Sequence, residues 1–279
     1  MYYEEVRPDP ALTRCVHCYW FLSGSGPATL QPIVPDGRME LILNLADRFL
    51  RHRADGSVER QPAALLAGQM TTCVLVEPSG SVDLVGVRFQ PAGAALLLPL
   101  PPRELRDCII DPALVAGGLA RDLADRLHTT HDVPGRVRIL NAHFALLQAT
   151  ATDPDRAVVA AVALIHGSHG RVRIADAAAQ LGMTRRTLER RVDATVGIGP
   201  KLLARITRFQ HTFAQMQTSG PRAWTRIAHR SGYYDQAHLN RDFRAFAGAS
   251  PTRFFAGHTT LADFFATGGN ADDLPRGTA

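Results

Sequence analysis

The stretch Gly232-Tyr233-Tyr234-Asp235-Gln236-Ala237-His238-Leu239-Asn240-Arg241-Asp242-Phe243-Arg244 has the pattern of a turn followed by an amphipathic helix. Asp235 is a favourable N-cap residue. At about 100° per residue, Leu239, Phe243 and Phe246 share one apolar side. The other side carries amide and guanidinium groups, which are the types that pair with adenine and guanine edges. The pattern therefore predicts a recognition helix with a buried stripe and an exposed polar face.

The flanking residues complete a helix-turn-helix unit. Trp224, Ile227 and Ala228 have the spacing of a short packing helix, and Ser231-Gly232 provides the turn. At the far end, Gly248 is placed to terminate the recognition helix, and Pro251 follows closely.

A second copy of this pattern lies about 50 residues earlier, and internal repeats are strong indicators of architecture. Its packing helix is spaced by Ile174, Ala177, Ala178 and Leu181, and its turn is at Gly182. Thr184 is the predicted N-cap, with Leu188 and Val192 forming the buried stripe. Gly197-x-x-Pro200 matches Gly248-x-x-Pro251. Two such units in tandem are far more specific than one.

Residues 200–217 between the two units read as one helix with a continuous apolar face. That face consists of Leu202, Ile206, Phe209, Phe213 and Met216. Eighteen helical residues span roughly 27 Å. Successive major grooves recur about every 34 Å. One chain could therefore place two recognition helices in adjacent grooves without forming a dimer.

Residues 156–257 resemble the DNA-binding domain of the AraC/XylS transcription regulators of bacteria. The first unit carries the likeness through Ala178-x-x-x-Gly182 and Leu188-Glu189-Arg190-Arg191. The second matches more closely, through Gly232-Tyr233, Asp235-Gln236-Ala237-His238-Leu239, Arg241-x-Phe243, Phe246 and Gly248-x-x-Pro251. Val192 departs from the aromatic residue common in the family, but it retains an apolar side chain in the stripe.

The resemblance implies base contacts by residues on the exposed face of each recognition helix. These residues are Arg186, Glu189 and Arg190 in the first unit, and Gln236, Ala237, Asn240 and Arg241 in the second. Arg185, Tyr234 and Arg244 complete the predicted DNA-binding set, because they lie near helix ends or on the same exposed faces. For His238 the sequence is compatible with either a phosphate contact or packing under the turn, whereas Tyr233 is expected to pack in the turn.

Composition separates a basic half from an acidic one. At 279 residues, two domains are expected. Residues 154–258 carry a net charge of +10 and the rest of the chain −5. This split favours nucleic acid as the partner of the C-terminal half. The chain contains one lysine, Lys201, against 30 arginines, so its abundance of arginine is weak support by itself.

The N-terminal half, residues 1–150, reads as a β-rich sensor-like domain that ends in helices. Strands are predicted at 16–22, 39–45, 74–76 and 82–89, and amphipathic helices at 113–128 and 136–149. Turns are expected at Pro35-Asp36-Gly37, Asp55-Gly56 and Pro78-Ser79-Gly80. Met39-Glu40-Leu41-Ile42 and Gly86-Val87-Arg88-Phe89-x-Pro91-x-Gly93-Ala94 resemble the sensor half of some AraC-type regulators, which are often cupin-like.

The overall expectation is an α+β chain with a β-rich, possibly cupin-like domain followed by an all-α domain with two helix-turn-helix motifs. The boundary is expected within Thr150–Pro154, the DNA-binding domain at 154–258, and a partly disordered tail at 259–279. Neither a membrane span nor a signal peptide is evident, which favours the cytoplasm. The stripe of Val137, Leu140, Phe144 and Leu147 is expected to belong to the core, with a dimer interface as the alternative.

No catalytic group, metal site or cofactor motif is predicted, so the protein is not expected to be an enzyme. The expected partners are double-stranded DNA, a small-molecule effector and RNA polymerase, with the protein a monomer or homodimer. A second hypothesis is a thiol or metal sensor, which rests only on Cys15 and Cys18. A third is a non-specific architectural DNA binder.

Overall fold

Two halves of different architecture make up the chain in the computed structural model, which describes residues 1–25, 28–98, 100–116, 118–219 and 221–257. The N-terminal half contains the strands, which are β1 Tyr2–Val6, β2 Val16–Ser25, β3 Gln31–Ile33, β4 Glu40–Asn44, β5 Leu50–His52, β6 Val58–Arg60, β7 Ala64–Ala67, β8 Val74–Glu77, β9 Ser81–Phe89 and β10 Ile109–Ile110. It also contains the helices α1 Ala94–Leu97, α2 Ala113–Ala116, α3 Gly118–His128 and α4 Val133–Ala149.

The strands form two antiparallel sheets. One sheet has the order β1-β2-β9-β4-β7-β10 and the other β3-β8-β5-β6. Strands β5 and β6 form a hairpin around Asp55-Gly56, as the sequence predicts. The turn Pro78-Ser79-Gly80 instead carries the chain from one sheet to the other, because β8 and β9 pair with different neighbours.

Strand β2 is the centre of this half and is buried on both faces. Tyr19 and Phe21 pack in the core beneath the helices, together with Leu140 and Phe144 of α4. Trp20 and Leu22 point the opposite way and pack between the two sheets. Alternate residues of a strand face opposite sides, so an almost continuous apolar run suits a strand covered on both sides.

Helix α4 closes the outer side of the six-stranded sheet. Leu140 and Phe144 are buried, with Val137 and Leu147 packed beside them. The guanidinium of Arg136 donates to both carboxylate oxygens of Asp83 on β9, each at 2.7 Å. The apolar stripe of this helix is therefore part of the core of its own half, and it is not exposed as a dimer seam.

The C-terminal half is helical. Its helices are α5 Arg156–Gly167, α6 Ile174–Gln180, α7 Arg185–Val196, α8 Pro200–Gln217, α9 Trp224–Arg230, α10 Gln236–Ala247 and α11 Pro251–Gly257. Helix α8 runs through the centre, and Ile206, Phe209 and Phe213 are completely buried along it. The two predicted units are present as α6–α7 and α9–α10, so the α+β fold class and the tandem helix-turn-helix arrangement are confirmed.

The matching glycines terminate the two recognition helices in the same way. Gly197 follows α7 with φ 93°, and Gly248 follows α10 with φ 73°. Residues with a side chain rarely adopt this left-handed conformation, which is why glycine is favoured there. Pro200 and Pro251 then begin the next helices, α8 and α11.

Two loops of the N-terminal half contact the helical half. In the first, the side-chain amide of Gln210 on α8 donates to the Pro35 carbonyl at 2.5 Å. In the second, Arg106 Nε donates to the Gly197 carbonyl at 2.8 Å, and its Nη2 pairs with Asp193 on α7 at 2.5 Å. The sensor-like half thus contacts both the first recognition helix and the helix that connects the two units.

The strands predicted in the N-terminal half are all present, but β1, β3, β7 and β10 were not predicted from the sequence. The helix predicted at 113–128 is described as α2 and α3, and the one predicted at 136–149 begins earlier, at Val133. The predicted disordered tail, 259–279, lies outside the described residues. Across the described ranges, no helix is long and apolar enough to cross a bilayer.

Candidate nucleic-acid interface

The first recognition helix, α7, begins with the N-cap that the sequence predicts. The Thr184 hydroxyl accepts a hydrogen bond from the Thr187 amide at 3.2 Å. Arg185, Arg186 and Arg190 are exposed on this helix. Glu189 is partly exposed, and its carboxylate accepts from Arg185 Nε at 2.8 Å. The structure thus brings the four predicted residues of this unit onto one accessible surface.

The second recognition helix, α10, begins at Asp235, whose carboxylate accepts from the His238 amide at 2.6 Å. Leu239, Phe243 and Phe246 are buried, as predicted. The predicted DNA-binding residues of this unit are exposed except for Asn240, which is partly exposed; they are Tyr234, Gln236, Ala237, Asn240, Arg241 and Arg244. Tyr234 is the most open of them, with 89% of its surface exposed.

Tyr233 packs inside the turn, with only 2% of its surface exposed. The ring of His238 meets it edge-on, at 5.0 Å between centroids. The guanidinium of Arg208 on α8 lies over the same ring, 4.8 Å from its centroid. The turn is therefore tied to the central helix, and the contact of His238 with Tyr233 favours the packing interpretation of that histidine.

Each recognition helix is also fixed by an arginine–aspartate pair that sequence reasoning missed. Asp242 of α10 is 2% exposed and pairs with Arg205 on α8 at 2.8 Å and with Arg208 at 3.5 Å. On α7, Arg191 Nε donates to Asp155, the N-cap of α5, at 2.7 Å. Asp242 lies between two exposed arginines in the sequence, so only the helical spacing could have shown that it points inward.

The geometry is that of a protein with two DNA-reading helices. Two helix-turn-helix units, each with an exposed polar helix face, are joined by one helix of 18 residues. Short polar side chains and guanidinium groups on such a face are suited to reading base edges in the major groove.

Each half of the chain matches a known protein-family model. Residues 177–257 match a family model described as "Helix-turn-helix domain", and residues 4–111 match one described as "Domain of unknown function (DUF6597)". The C-terminal half therefore contains a helix-turn-helix domain, and the chain joins it to a distinct N-terminal domain. No curated protein sequence matches the chain.

Among solved structures, the chain is similar to ToxT from Vibrio cholerae in its P21 crystal form. The TM-score is 0.50 at 11% identity, over 86% of this chain and 99% of that one. ToxT with a bound unsaturated fatty acid has a TM-score of 0.49 at 14% identity, over 87% and 97%. The AraC-like transcriptional activator CuxR has a TM-score of 0.30 at 15% identity, over 75% and 81%. The similarity to ToxT in the P21 form shows that the two chains share a fold.

The N-terminal half contains a cavity of about 110 Å³ between its two sheets. Most of its lining is apolar, including Trp20, Ile42, Phe49 and Leu84. Polar groups from the 36–40 segment and from Arg88 border it as well. Mostly apolar cavities with a few fixed polar groups are typical small-molecule sites.

The cysteines offer little to a thiol or metal sensor. Cys15 and Cys18 are both buried and unbonded to each other. Burial raises the pKa of Cys18 to about 12, and it also raises the pKa of Cys15. Metal binding and redox chemistry require the thiolate, which these environments disfavour. Among the described residues, no group of three or more histidine, cysteine, aspartate or glutamate side chains is placed to bind a metal.

Proposed function

We propose that the protein is a sequence-specific transcription regulator whose two recognition helices, α7 and α10, read adjacent major-groove segments of one DNA site. The proposal rests above all on the two exposed polar helix faces that a single rigid helix, α8, joins within one chain. Base-edge contacts come from Arg186, Glu189 and Arg190 on α7 and from Gln236, Ala237, Asn240 and Arg241 on α10. Arg185, Tyr234 and Arg244 contact the phosphate backbone.

The packing behind the two helices supports base reading. A recognition helix discriminates bases only if its orientation is fixed, because each base contact depends on angle and distance. Asp242 anchors α10 to Arg205 and Arg208 of α8, and Arg191 anchors α7 to Asp155. The groups that face away from the core are thus left at defined positions.

The charge of the helical half supports DNA as its partner. Residues 154–258 carry a net charge of +10, whereas the remainder carries −5. Arginines near the ends of the recognition helices can bind phosphates and set the register of the protein on DNA. A regulator bound in this way at a promoter would act on RNA polymerase.

The N-terminal half is proposed to bind a small-molecule effector in the cavity between its sheets. Val34, Pro35 and Asp36 line that cavity. The Pro35 carbonyl in the same segment accepts from Gln210 on α8. A ligand that shifts this segment would therefore act on the helix that sets the spacing of α7 and α10. Couplings of this kind typically amount to about 1–3 kcal/mol.

The test is a binding competition between a preferred DNA site and sites with single base-pair changes, at one near-physiological salt concentration. Arg241→Ala should cost about 1–3 kcal/mol at one base pair and relax the preference there. Arg253→Ala is the matched control, since Arg253 is exposed but lies on α11. It should leave the preference unchanged.

An Arg241→Ala protein with full discrimination between sites would refute the assignment of that residue. Weak discrimination by the wild-type protein itself would instead favour a non-specific architectural binder.

A further inference from the structure

The cavity between the two sheets is small. Its volume of about 110 Å³ compares with the ~150 Å³ engineered cavity that binds benzene in another protein. Trp20 and Phe49 supply aromatic walls, and Ile42, Leu65 and Leu84 supply aliphatic ones. A molecule with a single ring therefore matches the volume of this cavity.

Asn44 provides one unused polar atom at this cavity. The residue is 7% exposed, and its Nδ2 donates to the Pro62 carbonyl at 3.2 Å. Because a carbonyl can only accept, that hydrogen bond assigns the side-chain nitrogen to this position and the oxygen to the other. The buried Oδ1 has no hydrogen-bond partner among the described residues. Buried polar atoms are nearly always hydrogen-bonded, so Oδ1 is an acceptor suited to a ligand that carries a donor.

Arg38 provides a second unused atom. Its Nε is buried and has no hydrogen-bond partner in the described part of the chain. The residue also lines the cavity. A ligand that satisfies Nε must present an acceptor, because a guanidinium only donates. A hydroxyl group both donates and accepts, so it suits either atom.

The surrounding charges decide against an anionic ligand. Arg88 is already occupied, since Glu40 lies 2.6 Å from its Nε, Glu5 lies 2.9 Å from its Nη1, and Asp36 lies 3.5 Å from Nε. The guanidinium groups of Arg88 and Arg38 thus lie among these three carboxyl groups. Burial raises the pKa of Glu40, the charge of Arg88 partly opposes that rise, and the charge of Asp36 adds to it. Another carboxylate at this end would add to an existing excess of acidic groups.

We infer that the effector of this protein is a compact, uncharged, mainly apolar molecule with at least one hydroxyl group, such as an aromatic alcohol. Its ring lies between Trp20 and the aliphatic wall, and its hydroxyl satisfies Asn44 or Arg38. The inference deepens the proposed effector role and rests on it for its regulatory meaning.

The test uses three probes that share a ring and one substituent carbon. They are benzyl alcohol, toluene and benzoate, titrated into the full chain in ligand-observed NMR without DNA. Benzyl alcohol should bind about 3- to 10-fold more tightly than toluene, which is the factor expected from one satisfied neutral hydrogen bond. It should bind at least about 10-fold more tightly than benzoate, because the anion meets like charges.

Variants separate the cavity from other surfaces. Ala67→Phe places a ring in the cavity and should abolish binding of every probe, since Ala67 lines it. Ala63→Phe makes the same change at an exposed neighbour and should bind as the wild type does. Asn44→Leu removes the side-chain amide, and Arg38→Met removes the guanidinium group, each at roughly similar volume. At least one of them should erase the preference for alcohol over toluene while toluene still binds.

Several outcomes would overturn the inference. Equal or tighter binding of benzoate would show an anion site, and equal binding of toluene would show that neither polar atom is used. Binding that survives Ala67→Phe would place the ligand elsewhere, and no binding of any probe at about 10 mM would exclude this ligand class. Because the titrations contain no DNA, a failure of ligand binding leaves the DNA-binding proposal intact. Conversely, a protein that binds no DNA could still bind benzyl alcohol as expected.

Discussion

His166 connects the stability of the protein to pH through the contact between its two halves. It lies on α5 of the helical half, and its Nε2 is buried without a hydrogen-bond partner in the described residues. Burial, reinforced by the charge of Arg38 from the other half, lowers its pKa from 6.5 to about 4. The folded protein therefore keeps this imidazole neutral at pH values where the unfolded chain would protonate it.

The sign and size of the effect follow from proton linkage. Between pH 6.5 and 4 the unfolded state binds the additional proton, so the stability contributed by neutral His166 is complete above pH 6.5 and declines as pH falls. At about 1.4 kcal/mol per pH unit, the loss from pH 7.5 to 5.0 is about 2 kcal/mol. His17, whose pKa burial lowers to about 3, adds a loss of similar size over the same interval.

The assay is urea unfolding of wild type and His166→Gln at pH 7.5 and 5.0. The variant cannot titrate at this position, so its free energy of unfolding should fall by about 2 kcal/mol less than that of wild type over this interval. His131→Gln, at an exposed position, serves as the control and should follow wild type. If wild type and His166→Gln lose equal stability, His166 does not occupy the buried environment beside Arg38.

Three further changes test other parts of the structure. Asp235→Ala removes the N-cap of α10, whose carboxylate lies 2.6 Å from the His238 amide, and should lower the free energy of unfolding by about 1 kcal/mol. Asp235→Asn should retain most of the capping stability. Equal urea midpoints for wild type and both variants would contradict the capping role. Gly86→Val should destabilise the β-rich half by about 3 kcal/mol or more in thermal unfolding, because a Cβ there would lie 1.8 Å from Trp20 Cε2. Gly199→Val is the control, since a Cβ at Gly199 would meet open space. Similar unfolding midpoints for the two variants would count against the close approach of Gly86 to Trp20. Arg106→Ala should change the free energy of unfolding by less than about 1 kcal/mol, because the Arg106–Asp193 pair is well exposed. It should nevertheless speed amide hydrogen exchange at the C-terminal end of α7, where Arg106 contacts Gly197. Exchange no faster than in the exposed control Arg103→Ala would argue against that contact.

The helical half could be predicted almost completely because its signals are local. N-caps, turn glycines and apolar spacing are each determined within a few residues, and their repetition made the two units recognisable. Thr184, Asp235, Gly197 and Gly248 take the capping positions predicted for them. Asp242 escaped prediction because its partners, Arg205 and Arg208, lie on another helix about 35 residues away in the sequence.

The β-rich half was only partly predictable because its short strands depend on distant partners. Strand β1 is recognisable only through its pairing with β2, and β10 only through β7. The sequence singled out Glu40 and Arg88 in separate fragments, but their 2.6 Å contact depends on the register of β4 against β9. The cavity and the contacts of Pro35 with α8 likewise depend on tertiary packing, which no local pattern contains.

Protection of genomic DNA by the purified protein, at one near-physiological salt concentration, tests the central claim most directly. Two recognition helices in one chain predict a discrete protected site of about two helical turns, roughly 20 base pairs. The double variant Gln236→Ala/Arg241→Ala should lose protection in one half of that site and keep it in the other. Protection without a defined site, disappearing as salt is raised, would contradict the claim, because it would show only electrostatic attraction to the DNA backbone.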